Sequence, residues 1–141
     1  MARVFFDTNL FIYLLEDVGE NSSRTHNLLA RMTERKDQLL TSTMTLGEIL
    51  VKPMRLGKRE WAKQYQELFQ GPGMVLIPFD RDCAELYAKI RIDEGIKPPD
   101  AIQLSCAAHA HADLFITNDA RLSRKSVPGI HFITSLDRAL I

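Results

Sequence analysis

The chain has 141 residues, a formal net charge of zero, 45% hydrophobic and 26% charged residues. That length suits one domain over residues 1–141 with a sizeable core, and the apolar share excludes wholesale disorder. Zero net charge excludes a broadly basic nucleic-acid coat or an acidic tail, yet permits a basic rim beside an acidic pocket. In chain order, Arg3–Phe6 is a short apolar run and predicts a buried strand. Asp7-Thr8-Asn9 supplies cap-type residues, and Leu10–Leu15 opens a helix. Ser22–Lys36 predicts a helix with Leu28, Leu29 and Met32 on one face, and Leu39–Thr43 a second strand. Met44–Arg55 reads as helical, with Pro53 disturbing its last turn, and Arg59–Phe69 as a further helix.

After the turn Gln70-Gly71-Pro72-Gly73, Met74–Phe79 predicts a third strand, at a sheet edge because Pro78 lacks an N–H. Asp82–Glu94 and the Ala-rich Asp100–Ala112, entered through Pro98-Pro99, are predicted helices. Leu114–Thr117 is a fourth strand and Asp119–Leu122 a short helix. His131–Thr134 is a fifth strand and Ser135–Leu140 a closing helix. This alternation predicts an α/β sandwich around a mostly parallel sheet covered on both faces. In such sheets the functional residues gather at the carboxyl ends of the strands.

The N-terminal segment has no targeting pattern, and Leu10–Leu15, the longest apolar run, is too short to span a bilayer. No membrane association is expected. Cys83 and Cys106 make no CxxC and no metal-ligand spacing along the chain, which points to a reducing cytoplasm. His26, His109, His111 and His131 form no HxxxH pair, so zinc is not expected.

Asp7 directly follows the first predicted strand and Asp119 follows the fourth by two residues. Asp100 opens the Ala-rich helix, and Glu48 lies one turn into the helix after the second strand. All four belong at one edge of a parallel sheet. Clustered carboxylates raise one another's pKa, and a hard divalent cation, Mg²⁺ or Mn²⁺, relieves that repulsion. Such a site can polarise a phosphodiester and activate water. Each acid also has a simpler reading: Asp7, Asp100 and Asp119 as helix-start residues, Glu48 as a solvated helix residue. Asp80 also follows an apolar strand, so spacing defines an acidic edge and not a unique set.

Four segments together resemble the PIN-domain ribonucleases, most closely the VapC-type toxins of toxin–antitoxin pairs. They are Val4-Phe5-Phe6-Asp7-Thr8-Asn9, Thr45-Leu46-Gly47-Glu48-Ile49, Pro99-Asp100-Ala101-Ile102-Gln103 and Ile116-Thr117-Asn118-Asp119. The resemblance runs through nearly the whole chain in order and spacing. It implies a three-layer α/β/α sandwich with a five-stranded sheet of order 3-2-1-4-5, seating Asp7 beside Asp119 and Asp80 at the edge. It implies an endoribonuclease dependent on Mg²⁺ or Mn²⁺, leaving 5′-phosphate and 3′-hydroxyl ends. Asp7, Glu48, Asp100 and Asp119 fall on the family's metal-binding acids, with Thr8 and Thr117 as supporting hydroxyls and Asn9 pinning the loop backbone. A cognate antitoxin and a homodimer are implied as well; Leu56, Trp61 and Tyr65 are candidates for exposed apolar anchors, with a core role the alternative for Trp61. Lys52-Pro53 departs from the family pattern and is expected to shorten the helix bearing Glu48.

An RNA backbone calls for cations. The candidates are Lys52, Arg55, Lys58 and Arg59 after Glu48, and Arg121, Arg124 and Lys125 after Asp119. Other readings are an RNA-processing nuclease without an antitoxin, a non-catalytic RNA- or protein-binding module, and a metal-free nuclease using histidine. A phosphoacceptor receiver domain would need paired acids after the first strand and a late lysine. Asp7 is followed by Thr8 and Asn9, and Ile130–Thr134 has no lysine.

Overall fold

Strand β1 (Arg3–Phe6) explains the sheet's double cover: Val4 and Phe6 point into one core, Phe5 into the other, as the two-residue strand period requires. The computed structural model describes residues 1–139. After β1 come α1 (Thr8–Leu15), α2 (Glu20–Arg35), β2 (Gln38–Ser42), α3 (Thr43–Arg55), α4 (Arg59–Phe69) and β3 (Met74–Ile77). Then follow α5 (Arg81–Ile90), α6 (Pro98–His109), β4 (Leu114–Thr117) and β5 (Phe132–Ser135), with 3₁₀ turns at Leu122–Arg124 and Leu136–Arg138. The five strands are parallel in the order β3-β2-β1-β4-β5. This is the α/β sandwich that the alternation of elements predicted, with the strand order that the resemblance implied.

One layer, from α1 to α4, packs Leu10, Phe11, Leu28, Met32, Ile49 and Phe69 against Val4 and Phe6. The other, α5 and α6, packs Cys83, Leu104 and Cys106 against Phe5 and Phe115, whose rings stack at 5.1 Å. Phe6 pairs with Ile116 in register, so β1 and β4 end side by side.

Several predicted boundaries move, each for a local reason. β3 stops at Ile77, before Pro78, and α6 begins at Pro98, where a proline in the first turn is preorganised for helix. The helix predicted over Asp82–Glu94 ends at Ile90, where tight turn bonds take over and Ile92 is left exposed, with nothing to bury it. The short helix predicted at Asp119–Leu122 is a 3₁₀ turn at Leu122–Arg124. The closing helix is a 3₁₀ turn at Leu136–Arg138, and Leu140 lies outside the described residues.

Lys52-Pro53 does not shorten α3, which runs to Arg55. Pro53 lies in the last turn, where it forfeits a single backbone bond, and its carbonyl accepts the Lys58 N–H at 2.9 Å. Tyr65 is not an exposed anchor. It is buried, donates its hydroxyl to Glu16 Oε2 at 3.0 Å, and packs edge-on against the half-buried Trp61. On α3 and the residue that caps it, the exposed apolar side chains are Val51, Met54 and Leu56.

Candidate active site

Asp7 ends β1 with its backbone N–H on the Ile116 carbonyl at 3.0 Å, and it also serves as the N-cap of α1. Its two carboxylate oxygens are held separately. Oδ1 accepts the Thr8 N–H at 2.8 Å and Oδ2 accepts the Thr117 hydroxyl at 2.8 Å. Thr117 in turn accepts the Asp119 N–H at 3.1 Å, so one hydroxyl links the ends of β1 and β4. Asp119 Oδ1 folds back over its own turn, accepting the N–H groups of Arg121 and Leu122 at 2.9 and 3.2 Å. Asp100 stands in the first turn of α6, where the helix dipole favours an acid. Glu48, on α3, accepts the Thr8 hydroxyl at 2.7 Å. At Asp7 and Asp119 the local bonds that start the α1 helix and the turn after β4 also aim the carboxylate.

Asp7 and Asp100 feel the neighbouring acids. Asp7 is 8% exposed, and its carboxyl is pushed up to about 6, first by burial and further by the charges of Asp100 and Glu48. The Thr117 and Thr8 hydrogen bonds oppose that rise. Burial also raises Asp100, with Asp119 and Glu48 adding and Lys97 opposing. A set of partly buried oxygen donors whose charges raise one another fits a hard divalent cation such as Mg²⁺ or Mn²⁺. Asp80 takes no part. It follows β3 at the sheet edge and caps α5 through the Cys83 N–H at 3.1 Å.

Thr117→Val keeps the shape and removes the hydroxyl on Asp7. We expect a loss of about 1 kcal/mol in stability, and a further upward shift of the Asp7 carboxyl because its ionised form loses a donor. Carboxyl-resolved NMR titration checks this; an unmoved or lowered Asp7 would contradict it.

Chain-level reading missed the scaffold beneath the acids. Gln103 is 2% exposed and donates through Nε2 to Thr8 Oγ1 at 2.9 Å and to Thr45 Oγ1 at 2.8 Å. Its Oε1 accepts the Ser42 hydroxyl. Thr45 also contacts the hydroxyls of Thr41 and Thr8, and Thr41 donates to the Phe6 carbonyl at 3.0 Å. Glu48 is thus tied through Thr8 to a buried network spanning α1, β2, α3 and α6. The run of hydroxyls Thr41-Ser42-Thr43 at a strand end was the available signal. Asn9 does not pin the loop. It is exposed on α1, and its side chain makes no hydrogen bond among the described residues.

The basic candidates divide. Arg121 and Lys125 line a small cavity with Asp100, Asp119 and Lys97, a lysine the chain-level reading did not single out. Lys125 is also paired with Asp93 at 2.9 Å. Lys58 and Arg59 line a groove with Pro53 and Met54 that none of the four acids enters. Lys52 is held by Glu16 at 3.2 Å and lies over the Trp61 ring. Arg55 is exposed, and Arg124 lines a separate cavity with Asn118 and Ser135.

The family model described as PIN domain matches residues 4–128. None of the curated proteins matches the chain. Among solved structures, VapBC2 from Rickettsia felis, bound to a DNA fragment from its promoter, is similar with a TM-score of 0.73 and 19% identity. That match covers 94% of this chain and 97% of that one. DNA-bound VapBC from Salmonella typhimurium is similar with a TM-score of 0.70 and 19% identity, covering 96% and 99%. VapC20 from Mycobacterium tuberculosis, a sarcin-ricin loop cleaving toxin, is similar with a TM-score of 0.63 and 16% identity, covering 79% and 86%.

Proposed function

The chain belongs to the PIN domain family, and from that premise we propose that it is a Mg²⁺- or Mn²⁺-dependent endoribonuclease, the toxin of a toxin–antitoxin pair. What supports the reading is that Asp7, pushed up to about 6, feels the charges of Asp100 and Glu48, and Asp100 those of Asp119 and Glu48. The likeness of fold to a sarcin-ricin loop cleaving toxin supports an RNA substrate. Residues 1–141 would act as one nuclease domain.

Asp7, Asp100 and Asp119 would hold the metal, and Glu48 a second metal or the attacking water. When bound, the cation supplies Lewis-acid polarisation of the phosphodiester and a lowered water pKa. The chain's own groups do the positioning. Thr117 fixes the rotamer of Asp7, and Thr8 fixes Glu48 through the Gln103 network. Arg121 and Lys97, beside Asp100 and Asp119, would take the scissile phosphate's neighbours. In-line attack by water on phosphorus breaks the bond to the 3′-oxygen, leaving a 5′-phosphate on one fragment and a 3′-hydroxyl on the other.

Neighbouring folds occur in VapBC complexes and in a toxin–antitoxin complex from Klebsiella pneumoniae, which supports an antitoxin partner. A basic side chain reaching toward the acids would suit the electrostatics. Self-association would use Val51, Met54 and Leu56, with the half-buried Trp61 at its border. Met54→Glu with Leu56→Glu is expected to convert a dimer to a monomer in sedimentation at micromolar concentration; an unchanged profile would contradict it. No helix among the described residues is long and apolar enough to cross a membrane.

Induced expression in a bacterium tests the function. Wild type should arrest growth and fragment RNA, Asp100→Asn should do neither, and a small protein encoded just upstream should relieve the arrest. Fragmentation without arrest or relief would favour an RNA-processing nuclease. Tight RNA binding without cutting would favour a binding module.

A further inference from the structure

Away from the acid set, two three-residue steps meet on the α5–α6 layer. Asp80 and Cys83 lie three apart at the start of α5, and Cys106 and His109 three apart at the end of α6. Residues three apart share a helix face. Antiparallel packing brings these faces together, although about two dozen residues separate Cys83 from His109 along the chain. Spacing along the chain therefore gave no sign of them.

A carboxylate oxygen of Asp80, the thiol of Cys83 and an imidazole nitrogen of His109 lie within 4.8 Å of one another. Asp80 and His109 face each other, while the Cys83 thiol donates to the Pro78 carbonyl at 3.6 Å, a contact that deprotonation on metal binding would release. Asp80 Oδ1 is occupied by the Cys83 N–H at 3.1 Å, which leaves Oδ2 facing His109 Nε2 at 3.9 Å. That separation is too long for a hydrogen bond. Donors around a tetrahedral zinc stand about 3.3–3.8 Å apart, so adjustments on the order of an ångström would close the set. Cys83 is buried, while the Asp80 and His109 side chains are 46% and 38% exposed, giving an apolar floor and an open mouth.

We propose that Asp80, Cys83 and His109 form a second metal site, for a borderline transition-metal cation of the zinc class, with water in the fourth position. The donor set separates it from the acidic pocket. Thiolate and imidazole select Zn²⁺ or Co²⁺ over Mg²⁺, and all-oxygen donors do the reverse. The Cys83 proton leaves to solvent as the metal binds. The bound ion ties the start of α5 to the end of α6, the helix whose first turn carries Asp100. The site is independent of any nuclease activity.

The chelator-stripped full-length chain, in excess Mg²⁺ to fill the acidic pocket, is titrated with Co²⁺. A thiolate-to-cobalt charge-transfer band should saturate at a single equivalent, and Zn²⁺ should displace it. Cys83→Ser and His109→Ala should each lose the band, while Asp100→Asn keeps it. Zn²⁺ should raise the thermal midpoint of wild type and not that of His109→Ala. Because Cys83 is buried and its variant can misfold, the half-exposed His109 gives the deciding variant. Absence of the band in wild type, its persistence in His109→Ala, or its loss in Asp100→Asn overturns the proposal.

Discussion

Asp7→Asn is expected to lower RNA cleavage by roughly 10³-fold, the scale of several kcal/mol of lost metal-supported charge stabilisation, while raising the thermal midpoint of the metal-free protein. The two effects have one cause. The Asp7 carboxyl is pushed up to about 6 in the fold, mainly by burial. In an unfolded chain it ionises near 3.9. Between those values the native state holds a proton that the unfolded state has released, so stability falls as pH rises through roughly 4 to 6. At neutral pH the penalty is fully present, on the order of 2–3 kcal/mol. Asparagine has no charge to desolvate, and its amide oxygen can still accept the Thr8 N–H. The variant should melt several degrees higher near pH 7.5 without metal. The gain should vanish below about pH 4, where wild-type Asp7 is protonated as well. Mg²⁺ should stabilise wild type more than the variant. A variant that melts lower at neutral pH would reduce Asp7 to a helix cap.

Gln103→Leu is expected to be the most damaging single change to stability near the site, about 3 kcal/mol, or roughly 10 °C in midpoint. The leucine fits the volume but strips both Nε2 hydrogen bonds and the acceptor used by Ser42. Three buried hydroxyls then compete for partners where water does not reach. Cleavage should fall as well, since Thr8 loses the bond that orients it toward Glu48. Thermal denaturation decides it: a loss under about 1 kcal/mol would mean the hydroxyls re-pair among themselves.

The architecture was largely legible in the sequence, because its strands are short apolar runs separated by helix-length polar patterns. All five strands and the six longer helices fall where the pattern put them, and Arg59–Phe69 does so at both ends. The misses are local. Pro53 reads as a helix breaker, but breaking requires an interior position, and Pro53 sits in the last turn. Tyr65 reads as a surface anchor because an amphipathic helix has two candidate faces, and only the tertiary partner Glu16 shows which one is inside. The four acids were visible one at a time, while their convergence needed the β1–β4 pairing, which alternation alone does not fix. Gln103 stood within a recognised segment, yet its role depends on Thr8 and Thr45, nearly a hundred and nearly sixty residues away in the chain. Lys97 and Arg121 meet only because α6 starts where the turn after β4 passes.

The most direct test is cleavage of total cellular RNA by the purified chain, with the ends of the products mapped. Reactions would contain Mg²⁺, Mn²⁺ or EDTA, with Asp100→Asn run in parallel. We expect discrete cuts with 5′-phosphate and 3′-hydroxyl ends, supported by either cation and absent with EDTA or in the variant. Cuts that resist EDTA, persist in Asp100→Asn and leave cyclic-phosphate ends would contradict a nuclease built on Asp7, Glu48, Asp100 and Asp119.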